Sequence, residues 1–316
     1  MTVEKVFLDH DQLRPVWRFF LSVGLMFTAY VVTMMILGEV LRSASPFWAH
    51  LLFLIAVLGV SKLMTAVFDR KPLGSVGLAF HGRWGRELVL GLGLGAAMIL
   101  AVALLERVVG LGSFAWIGLS SSSALGKVAY YGAFLVLAAV NEELLFRGYP
   151  FQRLVESIGS VGAVALSSVM FGLGHLANPG HTWISTANTA LVGIPLAVAY
   201  LRTRALWMPL AMHFIWNFIE GIVLGLPVSG YYFPGLFKPW VSGVVWLTGA
   251  AYGPEGGLLA TGIIVAATAY LLLSKRIHIS EEMRALVFGP ASCKPAPQNV
   301  ELFSPTSTDR GEGSLN

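Results

Sequence analysis

The chain has 316 residues, of which 56% are hydrophobic and 12% are charged. Roughly a quarter of the residues are charged in a soluble domain, so this composition excludes a water-soluble protein and indicates an integral membrane protein. The formal net charge of +4 does not indicate a nucleic-acid partner, because the basic residues are scattered over short loops without a cluster. The single cysteine, Cys293, excludes an intramolecular disulfide and is interpreted as a free thiol.

The apolar segments predict an all-α, polytopic membrane protein with about eight transmembrane helices. A spanning helix needs about 20 mostly apolar residues, and the fifth and sixth candidates are the weakest. In chain order the predicted spans are 16–38, 48–68, 87–109, 128–147, 160–177, 184–201, 205–225 and 257–274. The segment 226–255 is rich in Gly, Pro and aromatic residues and is predicted to be an interfacial loop.

The distribution of Lys and Arg predicts that both termini are cytoplasmic. With the N-terminus inside, most of the loop Lys and Arg residues fall on the cytoplasmic side. Those left outside are Arg42, Arg107, Lys127 and Lys238. The apolar run of the first span is longer than a signal-peptide core, so we expect an uncleaved anchor. The run GLGLG at 91–95 has no preceding strand, and the spacing of Gly91 and Gly95 favours close helix packing in lipid.

Charged and polar side chains inside predicted spans are costly and usually mark function. The candidates are Glu142, Glu143, Arg147, His175, His213 and Asn217. Glu143 and Arg147 are four residues apart with the acid first, which is the better orientation for an ion pair. Glu142 lies about 100° around the helix from Glu143 and has no basic residue three or four positions away, so it needs a partner on another helix or a water molecule.

We expect Glu142, His175, His213 and Asn217 to converge from three helices on one polar pocket. An isolated histidine in a span is more often an interhelical hydrogen-bonding residue, but that interpretation leaves Glu142 unpaired. A buried carboxylate suits a general base, and two histidines with one glutamate could also bind zinc and leave a position open for water. Glu220, on the same helix as His213, is expected to be solvated near the outer surface.

The predicted depths of two candidate residues disagree. His175 lies about fifteen residues into its span, whereas Glu142 lies close to the cytoplasmic end of its own. At 1.5 Å per residue, a straight fifth helix would place them at different depths in the membrane. We therefore expect that helix either to begin later and tilt, or to have a boundary other than residue 160.

Several classes of membrane protein are excluded or disfavoured by missing motifs. Aspartate occurs only at positions 9, 11, 69 and 309, outside the predicted spans, which excludes an intramembrane aspartyl protease. There is no HExxH motif, which disfavours the zinc proteases built on that helix motif. Pro227 replaces the first glycine of a GxSG motif near Ser229, so a serine intramembrane protease is also disfavoured. A secondary transporter would show repeated halves and broken helices, and neither is evident.

Three motifs in order resemble the CPBP family of CAAX proteases and bacteriocin-processing enzymes, which includes the eukaryotic Ras-converting CAAX endopeptidase. They are EExxxR at Glu142–Arg147, FxxxH at Phe171–His175 and HxxxN at His213–Asn217. The resemblance covers roughly residues 127–225. It implies that Glu142 and His175 activate the attacking water, that His213 and Asn217 stabilise the oxyanion, and that Glu143 and Arg147 hold the shape of the site.

The resemblance further implies an intramembrane endopeptidase of the bacterial inner membrane, with a site open toward the cytoplasm and a peptide or protein substrate that could be lipidated. The family has been described both as zinc metalloproteases and as metal-independent glutamate proteases, and the sequence leaves both open. The alternative is a non-catalytic membrane scaffold or a bacteriocin-immunity protein on the same fold.

On this basis the chain divides into four parts. We expect N-terminal transmembrane helices over 1–126 and the catalytic core helices over 127–225. An interfacial loop and the last transmembrane helix would follow over 226–279, and a disordered cytoplasmic tail over 280–316.

Overall fold

The computed structural model of the protein describes residues 6–9, 12–40, 45–118 and 122–289. Over these ranges it is mostly helical. The α-helices are α1 (Pro15–Val40), α2 (Pro46–Met64), α3 (Trp84–Val108), α4 (Ser122–Arg147), α5 (Tyr149–Gly174), α6 (Trp183–Thr203), α7 (Trp207–Asn217), α8 (Val245–Thr248), α9 (Leu258–Leu273) and α10 (Glu281–Phe288). Helices α2 and α7 are extended by π-helical turns over Thr65–Asp69 and Phe218–Val223. Short 3₁₀ turns cover Leu73–Val76, Ala250–Tyr252 and Pro254–Gly256.

Several of these helices have the length and composition of membrane spans. In the described ranges, five segments qualify: Pro15–Ile36, Pro46–Asp69, Trp84–Val108, Leu125–Gly174 and Trp183–Thr203. The fourth of them is 50 residues long, because it includes both α4 and α5, and α9 is a shorter apolar helix of 16 residues. The protein is therefore an integral membrane protein, whereas eight spans and two cytoplasmic termini remain predictions.

Two small antiparallel sheets depart from the predicted all-α architecture. Strand β1 (Leu8–Asp9) pairs with β2 (Gln12–Leu13). Strand β3 (Gly112–Trp116) pairs with β4 (Phe237–Val241), which lies in the segment predicted to be an irregular loop. Local patterns did not reveal this second sheet, because its strands are far apart in the sequence and neither is stable without the other.

Helix α5 is broken at Gly159, so its second part begins where the fifth span was predicted to begin. Gly159 has non-helical backbone angles (φ 76°, ψ 169°) that break the helix, and glycine adopts a positive φ without the steric penalty of a side chain. The break lies one residue before the predicted start at 160. The second part of α5 then ends at Gly174, with His175 as the capping residue.

The predicted disordered tail is wrong at its beginning. Residues Glu281–Phe288 form α10, which starts at an N-cap where the Ser280 hydroxyl accepts a hydrogen bond from the Met283 amide at 3.1 Å. The side chain of Met283 is fully buried, and α10 contacts the 3₁₀ turn Leu73–Val76. Residues 290–316, including Cys293, lie outside the described part of the chain.

The apolar core has two clusters, one on each side of α6. The first includes Ile99 of α3, Met212 of α7 and Ile264 of α9. The second includes Met26 of α1 and Leu144 of α4. The site residues described below lie on α4, at the end of α5 and on α7.

Close contact between α3 and α7 confirms the packing role predicted for Gly91 and Gly95. A Cβ atom at Gly91 would overlap the carbonyl oxygen of Met208, and one at Gly95 would overlap that of Met212. The two helix backbones can therefore touch only because these residues have no side chain. Since α7 carries His213, this contact fixes the position of one candidate site residue.

We expect Gly95→Ala to destabilise the protein by about 1–3 kcal/mol, because overpacking forces the neighbouring backbone to move. Gly93 on the same helix is the matched control, since nothing lies within 4 Å of a Cβ built there. The measurement is the free energy of unfolding in detergent for both variants. Equal effects of the two substitutions would contradict a packing role for Gly95.

Candidate active site

Three of the predicted site residues meet in space. The carboxylate atom Oε2 of Glu142, on α4, lies 3.9 Å from Nε2 of His175 at the end of α5. The same oxygen lies 3.8 Å from Nε2 of His213 on α7. The predicted convergence from three helices is therefore found, and one carboxylate oxygen faces two imidazole nitrogens.

Both imidazoles are held through their other ring nitrogen. Nδ1 of His175 lies 2.7 Å from the carbonyl oxygen of Phe171, four residues earlier. Nδ1 of His213 lies 2.8 Å from Oε1 of Glu143. Since a carbonyl or carboxylate oxygen can only accept, both Nδ1 atoms carry a hydrogen. Each ring is thereby oriented with Nε2 toward Glu142.

Glu143 and Arg147 form the predicted ion pair, with 3.2 Å between Oε1 and Nη1, and both side chains are fully buried. The guanidinium also donates to the carbonyl oxygen of Gly193 at 3.3 Å. It lies 4.5 Å from the centre of the Phe171 ring, within the range of a cation–π contact. Sequence reasoning missed that Glu143 also binds His213, because the partner lies 70 residues away and no helical spacing relates them.

A cavity of about 50 Å³ adjoins these residues and is lined by His175, His213 and Asn217. It has room for a few water molecules, since one water needs about 10–15 Å³ of this kind of volume. Its other walls are mostly apolar and come from α3, α6, α7 and α9: Met98, Val192, Leu196, Met212, Trp216 and Ile264. Asn217 thus shares the cavity with both histidines, as predicted. Glu142 does not line the cavity, but its carboxylate lies close to the two imidazoles that do.

Glu220 is not solvated, contrary to the prediction. Its side chain is fully buried, and Oε2 accepts a hydrogen bond from the Trp216 indole at 2.9 Å. The burial arises because the segment after α7 folds back over it, so that a Cβ atom at Gly253 would lie 3.1 Å from its Oε1. Sequence reasoning treated that segment as a loop at the membrane surface.

Sequence reasoning also missed Glu255 and Ser229, which line the cavity beside the histidines. The Ser229 hydroxyl donates to Oε1 of Glu255 at 2.6 Å. Both residues belong to the Gly- and Pro-rich segment between α7 and α9. The only available signal was a carboxylate within a largely apolar stretch, and no motif or spacing linked it to the histidines.

Glu142, His175 and His213 form the candidate donor set for a metal ion. Two imidazoles with Nδ1 held by an oxygen and Nε2 free, together with one carboxylate, match zinc in donor chemistry. The described residues nevertheless contain no group of three or more His, Cys, Asp or Glu side chains arranged to hold a metal ion.

We expect Arg147→Met to destabilise the protein by about 3–5 kcal/mol, because it leaves the buried charge of Glu143 without its partner. The double variant Glu143→Gln/Arg147→Met should recover part of this loss, since it removes both charges. The free energy of unfolding in detergent measures both effects. Exposed Arg107, replaced by Met in the control, should change it by less than about 0.5 kcal/mol. A double variant no more stable than Arg147→Met would contradict the pairing.

Comparisons with known proteins match the part of the chain that contains these residues. Residues 124–219 match the family described as Type II CAAX prenyl endopeptidase Rce1-like, and this segment contains all six predicted site residues. The chain is 32% identical over 96 residues to a protein of Bacillus subtilis (strain 168) named "Putative membrane peptidase YdiL".

The aligned segment is 30% of this chain and spans 37% of the length of that relative. No solved structure matches the chain. The family match and the peptidase relative confirm the resemblance of this chain to the CPBP family of membrane proteases.

Proposed function

We propose that this protein is an intramembrane endopeptidase in which Glu142 and His175 activate water to hydrolyse a peptide bond. One observation carries the proposal: Oε2 of Glu142 has no hydrogen-bond partner among the described residues and faces two imidazole Nε2 atoms at 3.8 and 3.9 Å. These distances are too long for direct hydrogen bonds and suit a bridging water molecule.

The first step is attack by that water on the substrate carbonyl. Neutral His175 carries its hydrogen on Nδ1, so its Nε2 lone pair accepts a hydrogen bond from the water and orients it. Glu142 takes the proton as the oxygen–carbon bond forms. General-base assistance of this kind contributes about 10²–10⁴-fold to a rate.

The second requirement is a donor pair for the oxyanion, which we assign to His213 and Asn217. Nδ1 of His213 already donates to Glu143, so Nε2 is a second donor only in the doubly protonated ring. The neighbouring carboxylates of Glu142 and Glu143 favour that form. The side-chain amide of Asn217 makes no hydrogen bond within the described part of the chain and is free to donate. Each such donor lowers a barrier by about 3 kcal/mol.

The substrate is proposed to be a membrane-associated peptide or protein that enters from the cytoplasmic side. The apolar walls of the cavity favour an apolar side chain near the scissile bond. A lipidated substrate agrees with the family resemblance, and a cleavage assay with lipidated and unmodified forms of one peptide measures whether the lipid is needed.

Zinc is the alternative source of an activated water. It would be held by Glu142, His175 and His213, and it would supply a hydroxide at neutral pH. Cleavage that a chelator abolishes and added zinc restores, together with loss of bound zinc in His175→Ala, would assign this chemistry. Cleavage that is indifferent to the chelator would assign the glutamate mechanism.

We expect Glu142→Gln and His175→Ala to abolish cleavage while the protein stays folded, because neither residue belongs to the buried Glu143–Arg147 ion pair. Asn217→Ala should lower the rate about 10²–10³-fold, as expected for one lost oxyanion donor. The assay is cleavage of a peptide library by purified protein in lipid vesicles. Glu87→Gln is the control, a carboxyl-to-amide change at a buried position that does not line the cavity.

Folding of each variant is checked by its thermal unfolding in detergent. Cleavage retained by either purified Glu142→Gln or His175→Ala would refute the proposed function. A non-catalytic membrane scaffold would keep its biological effect in both variants and lose it only when the fold is lost, as in Arg147→Met.

A further inference from the structure

A second carboxyl group lines the catalytic cavity from a part of the chain outside the matched family segment. Glu255 lies in the 3₁₀ turn Pro254–Gly256, outside residues 124–219, and lines the cavity together with His175 and His213. The mechanism above gives it no role. An ionisable side chain in a largely apolar cavity beside catalytic groups is a candidate for proton transfer.

The position of the Glu255 carboxyl is fixed by Ser229. Both the backbone amide and the hydroxyl of Ser229 donate to Oε1. Ser229 has a positive φ of 46°, which is uncommon for a residue with a side chain and marks a backbone held by its surroundings. Its carbonyl oxygen accepts a hydrogen bond from Asn178 at 3.0 Å. The carboxyl is therefore tied to the chain just beyond His175.

This pattern of hydrogen bonds leaves one oxygen of the carboxyl able to carry a proton. A neutral carboxyl has one oxygen that only accepts and one that carries the hydrogen. Since Oε1 accepts both donors from Ser229, the hydrogen would reside on Oε2, which has no hydrogen-bond partner among the described residues. Glu255 is thus oriented with one oxygen held and the other free to donate.

The electrostatic surroundings also favour the protonated form. Glu255 makes no ion pair with Lys or Arg in the described part of the chain, whereas Glu143 is paired with Arg147. A second buried carboxyl, Glu220, faces the backbone amide of Glu255. Burial raises the pKa of Glu255 above its ordinary value, opposed by the hydrogen bonds from Ser229 and by the charge of His213.

We propose that Glu255 is the general acid of the reaction and donates its proton to the nitrogen of the leaving amine. The inference rests on the proposed peptidase function and adds a second catalytic acid to it. As the tetrahedral intermediate collapses, the carbon–nitrogen bond breaks and a nitrogen–hydrogen bond forms with the proton of Glu255. The proton that Glu142 took from water returns to Glu255 through solvent, so neither carboxyl is consumed.

This assignment separates the two proton transfers by environment. Glu142 faces two imidazole nitrogens and takes the proton from water. Glu255 lies among the largely apolar walls of the cavity, makes no ion pair with Lys or Arg in the described part of the chain, and holds a proton ready for release. Pairs of carboxyls in contrasting environments commonly divide acid and base roles in this way.

The test compares two leaving groups in Glu255→Gln. The probes are the library peptide that the wild-type protein cleaves and its depsipeptide, in which an ester replaces the scissile amide. An amine leaves only when it is protonated, whereas an alkoxide leaves far more readily. We expect Glu255→Gln to lower the amide rate about 100-fold or more, in the range of general-acid catalysis, and the ester rate by less than about 10-fold.

Two further variants show whether a lost rate in Glu255→Gln comes from the missing proton donor or from a disturbed structure. Glu255→Asp keeps the carboxyl and should restore part of the amide rate, and Glu87→Gln should leave both rates unchanged. An equal loss of both rates in Glu255→Gln would overturn the acid role while leaving the peptidase function intact. A wild-type protein that cleaves neither probe nor any library peptide would overturn the peptidase function, and the acid role with it.

Discussion

The site depends on the partners that compensate the charge of one buried carboxylate, that of Glu143. The side chain has no exposure to solvent, and an unpaired charge in such a position costs several kcal/mol. Arg147 on the same helix and His213 on α7 supply the partners. Because the two partners come from different helices, the pairing fixes α4 against α7 and at the same time sets the orientation of a catalytic imidazole.

Phe171 connects the second histidine to the same pair. Its carbonyl oxygen orients His175, and its ring covers the guanidinium of Arg147. One residue therefore serves both the imidazole and the charge that compensates Glu143. The motif FxxxH thus has a physical basis in this chain, since the backbone carbonyl lies one turn before the imidazole and the ring needs to be aromatic to contact the cation.

Sequence reasoning succeeded where the interaction is local along a helix. The Glu143–Arg147 pair and the close packing at Gly91 and Gly95 follow from spacing on one helix, and the structure contains both. The convergence of Glu142 with the two histidines was predicted from the need to satisfy a lone acid. The bond from Glu143 to His213 and the pairing of β3 with β4 were not predictable, because each joins segments that no local pattern relates.

The burial of Glu220 was missed for a related reason. A segment of glycines and prolines carries no periodicity that tells whether it lies on the membrane surface or folds back. Here it folds back, and Gly253 packs against the Glu220 carboxyl. The same segment brings Glu255 to the cavity. Its predicted position at the membrane surface therefore explains why both the burial of Glu220 and the place of Glu255 in the cavity were missed.

The residues proposed to carry out the reaction and some of the residues that shape the cavity come from different parts of the chain. Glu142, His175, His213 and Asn217 lie within the matched segment 124–219. Part of the wall lies outside it, contributed by Met98, Ser229, Glu255 and Ile264. Proteins that share this segment can therefore share the reaction and still differ in the peptides they accept, because the shape and charge of the cavity depend on parts of the chain that the family match does not cover.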